Sequence, residues 1–405
     1  MVIIISRRPD AIINPQFWAE DGAIWFADAY NFGSLKPMFI AKNGYYQTVP
    51  RLTAAIAQIF PLKYVPLFFN LTAIAIQLLP ILLIFSLRFE RLIPKLSTKI
   101  IVVLVYLLMP NISEVYINIS NAQWFLALSA SLIIFYNLSQ NSKWHRLDLM
   151  IVFLSSISGP FVIFWFPFVL FNWIKLRNNF ALQSLIVVSM AVIVQLIALL
   201  SLGRVGFGLP LGAGWLLFYK IFSRQIIWGS LIGPNGYFWI IDKIPWHALF
   251  FAITTALSVL IIFFAMLKAP RGIKFFSLFG GLNFFAGLIN PTMINGIDKP
   301  VWQVLSGANG IRYWFLPMIG FLVILFWGAR KTVFLPVRLM SIFFLTCMVL
   351  FTIKTFRHPE NFRFTPYIDF HYQKAVKEFL ALPKGEKMAI PINPPGWQME
   401  LIKKE

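Results

Sequence analysis

The carboxylates between Asn14 and Asp28 are the residues whose type and spacing most clearly suggest chemistry. This stretch reads Asn-Pro-Gln-Phe-Trp-Ala-Glu-Asp-Gly-Ala-Ile-Trp-Phe-Ala-Asp. The chain of 405 residues has 15 acidic residues, and Glu20, Asp21 and Asp28 lie close together here among aromatic residues. Because a carboxylate beside an acceptor hydroxyl can act as a general base, this stretch is the first candidate for a functional site.

The acidic stretch is expected to begin a helix, since a proline and a glycine flank the pair and residues 23–30 have helical composition. Asp21, Trp25 and Asp28 would then share one helix face. At a rise of 1.5 Å per residue the two aspartates would stand roughly 10 Å apart, which suits one cleft better than one metal ion. The alternative is that the charges only stabilise the helix dipole, by a few tenths to about 1 kcal/mol.

Composition places the chain among multi-span membrane proteins. Charged residues make up 12% and apolar residues 59% of the sequence, whereas soluble domains carry about 25% charged residues. The net charge of +20 comes from cations at the ends of apolar segments, which is the pattern that sets membrane topology, so no nucleic-acid partner is expected. Cys347 is the only cysteine, which excludes an intramolecular disulfide and a multi-cysteine metal site.

The elements that must position the acidic stretch are membrane spans. The first expected span is Tyr64 to Leu87, and four cations follow it in a short loop: Arg88, Arg91, Lys95 and Lys99. The positive-inside rule places this loop in the cytoplasm and everything before the span outside. Leu149 to Phe171 contains Ser158-Gly159-Pro160 and could be one kinked span. Cations at both of its ends favour two half-length helices instead, and such broken helices usually line a cavity. Eight to ten crossings are predicted in total.

The topology divides the chain into three regions: a first extracytoplasmic loop (1–63), a multi-span membrane domain (64–353) and an extracytoplasmic C-terminal tail (354–405). Interfacial helices are expected at Leu52 to Phe60 and at Trp215 to Trp228. The tail is too short to hold a sizeable core and is expected to pack over the outer mouth of the membrane domain. The five apolar residues before Ser6 are too few to span, so a preceding span is expected to be missing.

Polar residues concentrate on the outer side of this topology. They are Glu20, Asp21, Asp28, Arg51, Glu114, Asn118, Asn121, Gln123, Trp124, Arg204 and Arg312. The cytoplasmic side offers only short basic loops, so any chemistry is expected outside. Nucleotides are absent there, and a group transfer would draw on an activated group carried by a lipid.

Four short motifs and the overall architecture give the chain a resemblance. The motifs are Phe17 to Gly22, Asn121 to Trp124, Arg312 to Trp314 and Pro394 to Trp397. With an acidic pair in the first outside loop, interfacial helices and many spans, the chain resembles the GT-C superfamily of polyprenyl-phosphate-sugar glycosyltransferases. The first motif is also similar to the opening of bacterial multi-span proteins, some of them related to O-antigen-modifying glucosyltransferases.

The resemblance implies a fold, a reaction and a location. The fold would be an all-α polytopic helical bundle of GT-C type with broken and interfacial helices. The activity would be an inverting transfer of sugar from a polyprenyl-phosphate donor to a glycan or lipid acceptor of the cell envelope. The protein would lie in the inner (cytoplasmic) membrane with its active site on the extracytoplasmic side.

The resemblance also implies residue roles. Asp21 or Glu20 would be the general base, with Asp21 favoured because it faces Trp25 while Glu20 points roughly 100° away. An arginine would stabilise the departing phosphate, with Arg312 the first choice. The full set of implied substrate-binding residues is Asp28, Arg51, Glu114, Asn121, Gln123, Trp124, Arg204, Arg312 and Tyr313. No cofactor is required, a divalent cation is allowed, and its ligands are left open.

Other interpretations remain open from the sequence. Arg312 could be an interfacial anchor, and Glu114 and the asparagines could cap short helices. The four histidines have no metal-ligand spacing and are interpreted as structural. A transporter or flippase of lipid-linked saccharides would need internal repeats and polar residues deep in its spans. A non-catalytic envelope assembly protein would not need acids beside aromatics.

Overall fold

The computed structural model describes residues 1–90, 92–136, 142–202, 210–291, 299–307, 310–357 and 362–404. The described part is mostly helical. Helices of the first 64 residues are Val2–Arg7, Asp10–Ile13, a π-helical turn Asp21–Phe26, Ala27–Phe32, Thr48–Ala57, and the 3₁₀ turns Lys36–Phe39 and Leu62–Tyr64. The side of the molecule that carries residues 14–28 is called the motif side below.

The rest of the chain is a helical bundle followed by a hairpin. Its α-helices are Val65–Phe85, Leu96–Leu108, Ala122–Tyr136, Ser142–Ser156, Phe161–Leu176, Asn179–Leu202, Trp215–Ile221, Gly229–Leu231, Gly233–Lys243, His247–Lys268, Arg271–Ile289, Val301–Leu305, Phe315–Gly328, Leu335–Phe356 and Tyr372–Leu380. Shorter turns are the 3₁₀ segments Leu87–Phe89, Ser113–Val115 and Ile311–Trp314 and the π-helix Phe222–Trp228. Strands Lys387–Ile392 and Trp397–Ile402 pair antiparallel, with Ile392 opposite Trp397.

Six helices in the described ranges are long and apolar enough to cross a membrane, so the chain is a multi-pass helical membrane protein. The first is Val65–Phe85, close to the predicted span. Three shorter apolar helices accompany the six: Leu96–Leu108, Ala122–Tyr136 and Phe161–Leu176. At 1.5 Å per residue they extend only about 20 to 24 Å, less than the roughly 30 Å hydrocarbon core. Eight to ten full crossings is therefore more than the long helices account for.

The predicted break in the apolar stretch Leu149 to Phe171 is confirmed. Helix Ser142–Ser156 ends before Gly159, and Phe161–Leu176 begins after it. Gly159 has a φ of +147°, and a Cβ there would lie 2.5 Å from Oε1 of Gln123, so any other residue type would strain the backbone and displace the Gln123 side chain. Backbone and side-chain groups of the first loop fill the break, because the Thr48 N–H donates to the Ile157 carbonyl and the Val49 N–H donates to Ser158 Oγ.

The two expected interfacial helices differ. In Thr48–Ala57 the alanines 54 and 57 are buried while Leu52 and Ile56 are exposed, which fits a helix lying on a membrane surface. In the second segment Trp215 is exposed, but Trp228 is buried. Trp228 packs against Phe250, so its ring faces other helices of the bundle and not the lipid headgroups.

One apolar core joins the first loop, the first span and the tail. Phe17 stacks with Phe26 and meets Phe69 of the first span edge-on. From the tail, Tyr372 packs edge-on against Phe17, and the hairpin adds Ile390, Ile392, Met399 and Leu401 to the same cluster. The tail is thus held by residues of the acidic stretch, since a segment this short cannot bury a core of its own.

Candidate functional site

A cavity of about 500 Å³ opens on the motif side where the first loop, several helix ends and the tail meet. It is called the Glu20 cavity. Seven of the residues proposed from the sequence line it: Glu20, Glu114, Asn121, Gln123, Trp124, Arg312 and Tyr313. The break between helices Ser142–Ser156 and Phe161–Leu176 supplies Pro160 and Phe161, so broken helices here do border a cavity. Residues far apart in sequence therefore form one surface.

Two short turns fix the charged pair in this cavity. Ser113–Val115 carries Glu114, and Ile311–Trp314 carries Arg312. The Glu114 carboxylate accepts hydrogen bonds from the Arg312 backbone N–H at 3.0 Å and from its Nη1. Gly310 enters the second turn with a φ of +69°, a conformation that a side chain disfavours. The pair therefore fixes the position of the guanidinium.

Asparagine side chains hold the backbone that carries Glu114. Both Asn118 Nδ2 and Asn121 Nδ2 donate to the Glu114 carbonyl oxygen, at 2.9 and 3.1 Å. Asn118 Oδ1 in turn accepts from the Asn121 backbone N–H at 2.9 Å. These amides satisfy backbone groups of residues 109–121, the segment between helices Leu96–Leu108 and Ala122–Tyr136 that is called the connector below. Asn121 also lines the cavity.

An aromatic wall stands beside the charged pair. The Arg312 guanidinium lies 4.9 Å from the ring centre of Tyr313. Trp124 meets Tyr313 and Phe161 edge-on, and its Nε1 donates to Asn121 Oδ1 at 3.2 Å. The ring is thus oriented by a hydrogen bond and by packing, leaving an aromatic surface within a polar cavity.

The two adjacent carboxylates have different environments. Glu20 is half-buried and lines the Glu20 cavity. Asp21 is 1% exposed and is not among the described residues that line the cavity. Its Oδ2 accepts from the Ile119 N–H at 2.9 Å, and its Oδ1 accepts from the Ser120 N–H at 2.8 Å and from Ser120 Oγ.

Burial governs the protonation of Asp21. It raises the pKa of Asp21 to about 7, against the lowering effect of the hydrogen bonds from Ser120 and Ile119, and the charge of Glu20 adds to the rise. A buried carboxylate loses its hydration, which disfavours the ionised form. Asp21 therefore changes charge near neutral pH while remaining out of reach of a ligand in the cavity.

A second layer lies behind Asp21. Trp25 Nε1 donates to Ser120 Oγ at 2.8 Å, and the Arg51 guanidinium lies 4.7 Å from the Trp25 ring centre. Arg51, itself buried, pairs with Asp28 at 2.6 Å. Asp21, Trp25 and Asp28 thus follow one side as predicted, but that side faces inward. Asp28 and Arg51 meet each other rather than lining the cavity.

Some lining residues were missed by sequence reasoning. Lys42 adds an exposed cation from the first loop, Asn283 adds an amide from helix Arg271–Ile289, and Trp397 adds a ring from the tail hairpin. Asn283 is a polar residue within an apolar span, which is a signal that was available. Lys42 had no such signal. Arg204, the remaining arginine proposed from the sequence, lies outside the described residues.

In the ranges that the structure describes, no three His, Cys, Asp or Glu side chains come together as ligands for a metal ion. Glu20 and Glu114 are carboxylates of the cavity lining, and Glu114 is already paired with Arg312.

Comparison of the chain with protein-family models, with curated proteins and with solved structures gave no match. The function is therefore inferred from the geometry of the Glu20 cavity.

Proposed function

We propose that the chain is a membrane glycosyltransferase of the GT-C kind. It moves a sugar from a polyprenyl-phosphate donor to a glycan or lipid acceptor at the extracytoplasmic face of the inner membrane. The observation that carries this proposal is the meeting of Glu20, Arg312 and the Trp124 ring in one cavity. A carboxylate, a cation and an aromatic face are the three groups that such a transfer needs.

The placement of the cavity favours a substrate carried by a lipid. Asn283, Ala286 and Gly287 of the spanning helix Arg271–Ile289 line it, and Phe164 adds a side chain from Phe161–Leu176. The cavity thus extends from the polar first loop to the ends of apolar helices. A polyprenyl chain can remain in the hydrocarbon region while its phosphate and sugar enter the polar part.

Glu20 is the carboxylate that the geometry favours as general base. The acceptor hydroxyl gives its proton to Glu20 while the hydroxyl oxygen forms a bond to the anomeric carbon. The bond between that carbon and the donor phosphate oxygen breaks, and its electron pair leaves with the polyprenyl phosphate. Attack opposite the leaving group inverts the anomeric configuration. Asp21, favoured from sequence, acts from behind by fixing the connector at Ile119 and Ser120.

Arg312 suits the departing phosphate. Its guanidinium is planar, remains charged and can donate two parallel hydrogen bonds to phosphate oxygens. Glu114 orients it through two hydrogen bonds, so little reorganisation is needed when the negative charge develops. The charge of Glu20 also acts on Arg312, which supports the proposed roles of the two groups in one reaction.

Turnover of a defined donor tests the proposal. The purified full-length protein is incubated with polyprenyl-phosphate sugars and an envelope glycan acceptor, and release of polyprenyl phosphate is measured. Glu20→Gln keeps the shape and removes the proton acceptor, so the rate should fall by about 100-fold or more. The matched control Glu386→Gln changes an exposed tail residue and should leave the rate unchanged. A folded Glu20→Gln protein that retains most of its activity would reject Glu20 as the base.

A further inference from the structure

A second cavity, of about 420 Å³, lies on the other side of the wall that carries Glu114 and Arg312. It is called the Arg7 cavity. Asn111, Ser113 and Ile311 line it, whereas their neighbours Glu114 and Arg312 line the Glu20 cavity. The two cavities therefore stand back to back across one connector and one turn.

Cations dominate the lining of the Arg7 cavity. Arg7, Lys354 and Arg363 all contribute, and no carboxylate is among the described lining residues. The Lys354 ammonium lies 3.8 Å from the ring centre of Trp239, another lining residue, which positions it at the rim. Three positive charges around one polar cavity attract an anion.

Arg7 is the strongest indication of a ligand, because it is 4% exposed and makes no ion pair with any described carboxylate. Nη1 caps a helix by donating to the carbonyls of Leu107 and Met109, both at 2.9 Å. Its Nε is buried and has no hydrogen-bond partner. Burial lowers the pKa of Arg7 to about 10, so the guanidinium stays charged at neutral pH. A buried charge without a counter-charge is costly, and a bound anion would offset that cost.

A helix N-terminus adds to the positive field. The first residues of the 11-residue helix Gly233–Lys243, namely Gly233, Pro234 and Asn235, line the cavity. The free N–H groups and the dipole at a helix start favour a phosphate. The helix start adds to the positive potential of the cavity, most of which comes from Arg7, Lys354 and Arg363.

The position of the cavity points to a lipid. Phe351, Thr352 and Thr355 line it from the last turns of the spanning helix Leu335–Phe356. On the same helix Leu350 and Ile353 are exposed apolar residues, as expected where a helix faces acyl chains. A phosphate held beside this helix lies at headgroup depth.

We propose that the Arg7 cavity binds the phosphate headgroup of an anionic membrane lipid, separately from the Glu20 cavity. Arg7 and the start of Gly233–Lys243 form its floor, and Lys354 and Arg363 close over the phosphate from the rim. The site needs no chemistry to act, so it does not depend on the transferase proposal.

Equilibrium binding to the purified full-length protein tests this site, with dihexanoyl phosphatidic acid as the probe. Replacing Arg7 would remove a helix cap, so the test variant is Lys354→Gln with Arg363→Gln, both exposed at the rim. Its affinity should fall by about tenfold or more, which corresponds to about 1.4 kcal/mol. The matched double control, Lys377→Gln with Lys387→Gln, removes two exposed cations of the tail and should keep the affinity within about twofold.

Two further probes identify the source of the anion. Inorganic phosphate should compete only weakly if a lipid headgroup is bound, and equal affinity would reject the lipid part of the proposal. Equal affinity for dihexanoyl phosphatidylcholine, or an equal loss in both double variants, would overturn the site. Glu20→Gln should bind phosphatidic acid like the unchanged protein, so failure of the transferase proposal is distinguishable from failure of this one.

Discussion

The two cavities on either side of the Glu114–Arg312 pair differ in whether carboxylates line them. The Glu20 cavity has carboxylates as well as cations, with Glu20 facing the space and Glu114 holding Arg312. The Arg7 cavity has cations and amides but no carboxylate among its described lining residues. One side can accept a proton and stabilise a leaving anion. The other can only hold an anion.

The buried arginines behind these cavities repeat the contrast. Arg51 is 2% exposed and has its own carboxylate in Asp28. Arg7 is 4% exposed and is met by carbonyls and aromatic rings, with Phe364 at 4.1 Å from its guanidinium. Arg51 has a counter-charge within the chain and supports the fold around the Glu20 cavity, whereas Arg7 lines a cavity in which an anion can meet its charge.

Arg312→Lys should have the largest effect, a loss of transfer activity without a loss of lipid binding in the Arg7 cavity. Lysine keeps the positive charge but cannot make the paired, planar hydrogen bonds of a guanidinium, so the transfer rate should fall by about 100-fold. Polyprenyl phosphate release measures this. Binding of phosphatidic acid in the Arg7 cavity should remain unchanged in the same variant, because Arg312 faces the other side.

The control for this variant is Arg357→Lys, which makes the same exchange at an exposed position outside both cavities. It should keep the full transfer rate. If Arg312→Lys also kept its rate, Arg312 would be an interfacial anchor, as one interpretation of the sequence allowed.

Asp28→Asn should leave Arg51 without a counter-charge, as Arg7 is, and should lower the free energy of unfolding. Removing one partner of a fully buried ion pair costs about 3–5 kcal/mol of unfolding free energy. Here Asp28 is 30% exposed, and water can partly replace it, so about 2 kcal/mol is expected. Chemical unfolding in detergent measures the change. Asp242→Asn, at a 74% exposed carboxylate, is the control, and equal stability of the two variants would mean that Arg51 does not need its partner.

Much of the fold was accessible from the sequence because its signals are local. Hydropathy placed the first span, and Gly159 beside Pro160 marked the break. The motifs Asn121 to Trp124 and Arg312 to Trp314 were singled out because they carry the resemblance, and the structure brings residues of both motifs to the Glu20 cavity.

The orientation of the acidic pair could not be obtained from local rules. A regular helix was assumed, but Asp21–Phe26 is a π-helical turn, and Ala19 before it has a φ of +43°. The Ala19 N–H donates to the carbonyl of Asn393, in the tail. A contact so distant in sequence decides which carboxylate faces the cavity. The surroundings of Arg7 were likewise beyond local rules, because its hydrogen-bond partners are residues about 100 positions away.

The last prediction separates Glu20 from Asp21 by pH, and its effect is the smallest. The folded-state pKa of Asp21 is about 7, raised by burial, whereas an unfolded aspartate titrates near its usual value of about 3.9. The folded protein therefore binds a proton that the unfolded chain has lost between these values. The stabilising contribution is complete below the unfolded pKa and is lost as the pH rises through about 7.

Lowering the pH from 8 to 6 should then raise the unfolding free energy by about 1.4 kcal/mol through Asp21. Asp21→Asn should lack this increment, and Glu20→Gln should keep most of it, since burial is the largest cause of the raised pKa of Asp21 and the charge of Glu20 the smallest. Chemical unfolding at both pH values compares each variant with the unchanged protein, so other titrating groups cancel. An identical pH response in Asp21→Asn would show that the three hydrogen bonds from Ile119 and Ser120 outweigh burial and keep Asp21 ionised.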